Sequence, residues 1–340
     1  MTPPSGSPAG ATTGSTTGPS RGRAAVPVPE LVERARRGDP RSVARLISLV
    51  EDASPALREV MAGLAPHTGH ALVVGITGAP GVGKSTSTNA LVARLREAGR
   101  RVGVLAVDPS SPFSGGALLG DRVRMGDHAT DSDVFIRSMA ARGHLGGLAW
   151  TTPQAIRVLD AAGFDVVLVE TVGVGQSEVE VAALADTTLV LLAPGMGDGI
   201  QAAKAGILEI GDLYVVNKAD RDGAGQVRRD LRNALALTDR PDAAWRPPIL
   251  LTTAHDGGGI PEVVDALEEH QTWLRDSGEL LRRRTRRARG EVEAIALTRL
   301  RERWSGLREG SELDDLAGRV ARGETDPYAA ADALLDDPSD

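Results

Sequence analysis

The chain has no cysteine. That excludes disulfide staples, thiolate metal sites and cysteine nucleophiles, and it fits a reducing, cytoplasmic setting. Aromatic residues fill only 3% of its 340 positions. A core must therefore be built from Val, Leu, Ile and Ala, the usage of buried parallel strands covered by helices. Long apolar runs are missing too, since no stretch approaches the roughly 18 residues needed to cross a bilayer. There is no basic excess: acidic residues outnumber Lys and Arg by 46 to 39, a net charge of −7. Such a balance disfavours general nucleic-acid or anionic-membrane binding and predicts neither kind of partner. Residues 1–25 are Pro, Gly, Ser and Thr with almost no apolar content. They lack the apolar stretch of a secretory signal and the amphipathic pattern of a transit peptide, and their composition predicts a disordered tail.

Residues 26–70 carry short helical patterns. Asp39 is placed to cap a helix with Pro40 at its first position, and Ser54-Pro55 repeats the device. Over residues 71–277, short apolar runs such as ALVVGIT, RVGVLAVD, FDVVLVE, TTLVLLAP and LYVVNK alternate with helix-length segments. That pattern predicts an α/β domain, a mostly parallel sheet with helices on both faces and ligands outside the carboxyl ends of its strands. Past residue 277 the strands stop, and residues 278–340 read as helical. There Val292, Ala296, Leu300 and Trp304 recur at four-residue steps, as a core or a dimer seam would. Six arginines fall within residues 282–289. They read as a solvated face ion-paired with Glu279, Glu291 and Glu293 rather than as a grip for RNA or an acidic partner.

Gly78-Ala79-Pro80-Gly81-Val82-Gly83-Lys84-Ser85 fits G-x-x-x-x-G-K-[ST], and Thr86 closes the segment. Glycines let backbone N–H groups turn inward around a phosphate chain, and the helix that follows aims its positive end at the same charge. Lys84 is placed to reach the β- and γ-phosphates, and the Ser85 hydroxyl to ligate Mg²⁺. Glu170 ends the run DVVLVE, with Gly173 three residues on. An acid at such a strand tip can hold Mg²⁺ directly or through water, and the glycine can sit near the γ-phosphate. Asp108 closes another strand, and Asp121 follows a loop rich in Ser, Gly and Pro. Asp108 is a candidate for orienting the attacking water or a metal-bound water, and Asp121 for completing the Mg²⁺ shell.

Asn217-Lys218-Ala219-Asp220 ends a further strand. A carboxylate there accepts hydrogen bonds from N1–H and the exocyclic amine of guanine, a donor pair adenine lacks. Asn217 can tie this loop to the phosphate loop or touch the base, and the Lys218 stem can cover the ring. Thr253, Ala254 and His255 offer backbone N–H groups toward the base oxygen. GTP with Mg²⁺ is the expected ligand. Val174 follows Gly173 where many GTPases carry a water-positioning Gln, and Gln176 lies further on. Slow or differently organised hydrolysis is expected, with Asp108 as the better candidate for the water.

Together GAPGVGKST, VDPSSPFSGGALLGDR, ETVGVGQSE, PGMGDGIQAAKAGILEIGD, NKAD and DPYAAADALL resemble the MeaB/ArgK/MMAA family, GTPase chaperones of methylmalonyl-CoA mutase. The resemblance spans about residues 30–337. It implies a P-loop NTPase fold of the metallochaperone and signal-recognition type, and a homodimer through the C-terminal helices. It further implies an adenosylcobalamin-dependent acyl-CoA mutase as partner, whose cofactor loading and protection from inactivation are gated by GTP. On that basis Lys84 and Ser85 hold phosphate and Mg²⁺, Asp108, Asp121 and Glu170 are the metal and switch acids, and Asp220 selects guanine. Residues 195–204 look like the family's additional switch. The chain departs from the usual Ser-Ala-Leu at Thr253-Ala254-His255. Two rival readings are a kinase or ATPase tied to lysine, arginine or ornithine transport, which NKAD opposes, and a nickel-delivery GTPase. The latter needs Cys or His clusters, and the six histidines offer only the pair His67 and His70.

Overall fold

The computed structural model describes residues 26–109, 128, 130–141, 151–171, 177–195, 207–237, 241, 244–307 and 311–335. Seven strands form one sheet: β1 Leu72–Thr77, β2 Val102–Pro109, β3 Val134–Ala141, β4 Val166–Thr171, β5 Thr187–Leu192, β6 Leu213–Asn217 and β7 Ile249–Thr252. Every pairing is parallel, in the order β3-β2-β4-β1-β5-β6-β7. This is the sheet that the continuous apolar runs predict, because strands covered on both faces have no polar side to alternate with.

The chain leaves β1 through residues 78–83 into helix α4 (Lys84–Glu97). Before β1 lie α1 (Val28–Arg36), α2 (Pro40–Glu51) and α3 (Leu57–Leu64). After it come α5 (Thr152–Ala161), α6 (Ser177–Leu184), α7 (Ile207–Ile210), α8 (Ala224–Ala236) and α9 (Ile260–Asp276). The C-terminal helices are α10 (Glu279–Leu307), α11 (Ser311–Ala321) and α12 (Pro327–Leu335).

The period of two along each strand divides the core. Val73, Val167 and Val169 face a cluster with α1, α2, α3, α5 and α6, while Leu72, Val74, Ile76, Val166 and Leu168 face α4 and α9. Glu170 follows the even-numbered series and so points toward α4. In α2, Val43, Leu46, Ile47 and Val50 make the buried stripe. Asp39 caps that helix, accepting from Arg41 N at 3.2 Å and Ser42 Oγ at 2.6 Å. The second expected cap is different. Helix α3 starts at Leu57, two residues past Pro55, because Ser54 takes Ala56 N into a local turn at 3.3 Å.

Two expectations for the C-terminal region need correction. Arg282, Arg283 and Arg286 do pair with Glu279, at 2.7, 3.6 and 3.8 Å, as expected. Three arginines also reach inward, which the solvated-face reading did not include: Arg283 grips both Asp212 oxygens at 2.9 and 3.0 Å, and Arg284 reaches Asp186 at 2.6 Å with Arg287 at 3.4 Å. Asp186 is fully buried at the start of β5, so an inward face of α10 is held by charge at the sheet end opposite the phosphate loop. Glu291 pairs with Arg157 on α5 at 2.5 Å, outside the arginine run. Of the two readings of the apolar stripe, the exposure of Val292 and Leu300, 67% and 58%, removes only the core one and leaves the dimer seam; the side chain of Trp304 lies outside the described residues.

Candidate nucleotide site

The phosphate loop is shaped by two close approaches. Gly78 has φ +142°, and a Cβ there would lie 2.3 Å from Leu191 O of β5. At Gly83, with φ +97°, a Cβ would lie 2.4 Å from the Asn217 amide nitrogen. No side chain fits either place, so both glycines follow from backbone packing as well as from ligand approach. Val82 is buried in the core beneath the loop, while Pro80 and Gly81 are exposed. Lys84 is only 7% exposed, and its ammonium donates to Gly78 O at 2.7 Å and Ala79 O at 3.2 Å. A buried cation therefore sits inside the turn at the positive end of a 14-residue helix. That concentration of charge suits a polyanion.

Glu170, 4% exposed, sits at the tip of β4 with its Cα paired to Ile76 and Ala106 on either side. Its Oε1 accepts from Ser85 Oγ at 2.7 Å and its Oε2 from Thr88 Oγ1 at 2.8 Å. Ser85 and Thr88 are three residues apart on α4, hence on one face. A serine hydroxyl beside a buried carboxylate is an all-oxygen donor set, the kind that fits Mg²⁺ when nucleotide phosphates and water complete the shell. Among the described residues, no group of three or more His, Cys, Asp or Glu gathers as a metal cluster. The pair His67 and His70 lines a separate cavity of about 510 Å³ beneath the other end of the sheet.

Three loops are hydrogen-bonded into one rim. Asn217, 3% exposed, donates from Nδ2 to Val82 O at 2.9 Å. Its Oδ1 accepts from Thr252 Oγ1 and Ala254 N, both at 3.1 Å. The side-chain amide thus braces the phosphate loop and the 253–255 loop. Lys218 adds a second tie, donating to Gly81 O at 2.7 Å. Its φ of +58° is a left-handed conformation unusual for a residue with a side chain, a local strain of about 1–3 kcal/mol that the surrounding bonds maintain. Asp220 is exposed in the turn that follows. Ala254 is buried, Thr253 is half-buried and bonded to Gly258 O at 2.8 Å, and His255 is exposed with Asp256 3.8 Å away. Thr86 is exposed and shares the lining of a cavity of about 340 Å³ with Ala254 and His255.

The structure therefore brings residues 78–86, Glu170, Asn217, Lys218 and the 253–255 loop to one end of the sheet. Asp108 is placed at the end of β2 by its backbone, paired with Ala140, and its side chain lies outside the described residues. Asp121, Gly173, Val174, Gln176 and residues 196–204 of the expected extra switch also lie outside them. Sequence reasoning missed Thr88. The signal available was its spacing from Ser85, which only the position of β4 turns into a contact.

A family model described as "Methylmalonyl Co-A mutase-associated GTPase MeaB" matches residues 43–308. A Pyrococcus abyssi protein given a GTPase name is 47% identical over 310 residues, covering 91% of this chain and 96% of that protein. The Escherichia coli GTPase ArgK is 40% identical over 258 residues, 74% of this chain and 78% of its own. The mouse mitochondrial methylmalonic aciduria type A homolog is 39% identical over 268 residues, 77% of this chain and 64% of its own. A crystal structure described as a LAO/AO transport system kinase superposes with TM-score 0.69 at 31% identity, covering 91% and 96% of the two chains. A P-loop followed by an acid-tipped strand and an N-K-x-D loop, matched to that family model over most of its length, places the chain in the family of methylmalonyl-CoA mutase-associated GTPases.

Proposed function

We propose that this GTPase is a Mg²⁺-dependent switch that chaperones an adenosylcobalamin-dependent acyl-CoA mutase of the methylmalonyl-CoA mutase kind. The observation that supports it best is the bonded rim, in which Asn217 fastens the base-reading loop to the phosphate loop that carries Lys84 and Ser85. Backbone N–H groups within residues 78–83, Pro80 having none, and the Lys84 ammonium bind the phosphate chain. Ser85 and Glu170 would hold Mg²⁺, which when bound neutralises charge on the transferring phosphoryl group. Asp108 orients the attacking water, and Asp121 supports the metal shell. Asp220 takes the two guanine donors, with Lys218 along the ring. Hydrolysis then releases the loops that the γ-phosphate orders, and the partner reads that change.

The partner assignment draws on the family's description, which names the mutase, and on the name of the mouse relative. A homodimer through the C-terminal helices is supported by exposed apolar side chains on α10, with Val292, Leu297 and Leu300 each at least 49% exposed. Cytoplasmic placement agrees with the lack of cysteine, and among the described residues no helix is long and apolar enough to cross a membrane.

Affinity capture from the source cell's extract, with GTP analogue or GDP on the protein, tests the partner. Recovery of an acyl-CoA mutase in a nucleotide-dependent way is expected; its absence in both states would contradict the assignment. The transport-kinase description of the similar crystal structure supports a second reading, an ATP-dependent role in amino-acid uptake. ATP displacing a fluorescent GTP analogue at equal concentration would favour that reading.

A further inference from the structure

We infer that Thr88 is a positioning residue for the metal acid: it fixes the second oxygen of Glu170, so that the first faces Ser85. This rests on the reading of Ser85 and Glu170 as the Mg²⁺ pair. Glu170 is buried at the strand tip, and a buried carboxylate free to rotate would present either oxygen, or neither, to a cation. Thr88 restricts that rotation at Oε2. It is fully buried on α4, and its hydroxyl donates to Oε2 at 2.8 Å while Ser85 meets Oε1 at 2.7 Å. Both donors come from the same helix face, one turn apart, and a β-branched side chain in a helix has few rotamers to choose from. The carboxylate is thereby set across the first turn of α4.

The consequence is specific. A Mg²⁺ ion arriving between nucleotide and protein competes for the Ser85 hydroxyl and for Oε1, but it has no need of Oε2. The Thr88 bond can therefore persist in both states and hold Glu170 in place when the Ser85 contact changes. Thr88 touches neither phosphate nor metal in this account; it acts through Glu170.

Fluorescent GTP-analogue binding titrated against Mg²⁺ tests it, using full-length protein and no measurement of turnover. Thr88→Val, close in shape but without the hydroxyl, should raise the Mg²⁺ concentration for half-maximal binding about tenfold. Analogue binding in EDTA should stay within twofold of wild type. Thr88→Ser should restore the wild-type requirement. Thr88→Ala serves if the valine variant does not fold, with the expected shift the same. Glu170→Gln separates the two levels of the account. If Glu170→Gln raises the Mg²⁺ requirement while the folded Thr88 variants keep the wild-type value, Thr88 is a packing residue and the inference falls alone. If Glu170→Gln also keeps the wild-type value, the metal reading falls, and the role of Thr88 with it.

Discussion

At the scale of single residues, His270 shows how burial sets a pH response away from the site. Its ring is fully buried between Trp245 and Trp273, with centroids 4.7 and 5.7 Å away, and Nδ1 lies 2.8 Å from Thr187 Oγ1. Desolvation lowers its pKa to about 4, against the opposing pull of Asp212. A base with a folded pKa below its unfolded value of about 6.5 leaves the unfolded chain with more bound protons between those two values. Stability is therefore full above about pH 6.5 and falls as the pH drops toward 4, by roughly 3 kcal/mol in all. Urea midpoints measured across that range should fall in wild type, and less steeply in His270→Asn. Asn217 is the second test at this scale. Asn217→Ala leaves Val82 O and Ala254 N short of a buried partner, at a cost of about 1–3 kcal/mol. Calorimetry should show a lower Tm together with GTP binding weakened at least tenfold.

At the scale of elements, α10 is held by charge rather than by an apolar seam. Asp186 and Asp212 are buried at the starts of β5 and β6, each with a backbone N–H donor, Val73 N for the first and Thr188 N for the second. Arg284→Met removes the nearer of two guanidiniums from Asp186, leaving Arg287 at 3.4 Å and the Val73 N–H, and should cost about 1.5–3 kcal/mol, the worth of a hydrogen bond to a charged group. Chemical denaturation measures that loss. GTP affinity should change by less than threefold, because this contact lies at the opposite end of the sheet. The seven strands and the helices between them were legible in the sequence, because apolar runs of strand length recur with helix-length spacing. The inward arginines were not. Arg283 and Arg284 lie 71 and 98 positions from Asp212 and Asp186, and periodicity within one helix says nothing about partners so distant. The start of α3 was also misplaced, because Ser54 served a local turn instead of a helix cap.

At the scale of the whole molecule, a centrally placed β1 sends its loop between β4 and β5, and the tips of β4 and β6 bring Glu170 and Asn217 to that loop. Fixed spacing made residues 78–86 readable, and chain order did the same for Glu170 and the N-K-x-D loop. Thr88 was hidden because its contact depends on how β4 lies beside α4, which no local pattern encodes. The exposed face of α10 makes a further prediction at this scale. On the proposed pairing through α10, wild type should sediment as a dimer and Leu300→Glu as a monomer, with GTP binding intact in both. The central claim is that guanine is read at Asp220, on a rim fastened to the phosphate loop. Equilibrium binding of GTP and xanthosine triphosphate to wild type and Asp220→Asn tests it most directly. Wild type should prefer GTP by about a hundredfold, and the variant should reverse that preference toward the xanthine base. A variant that still chose GTP as the parent does would contradict the account.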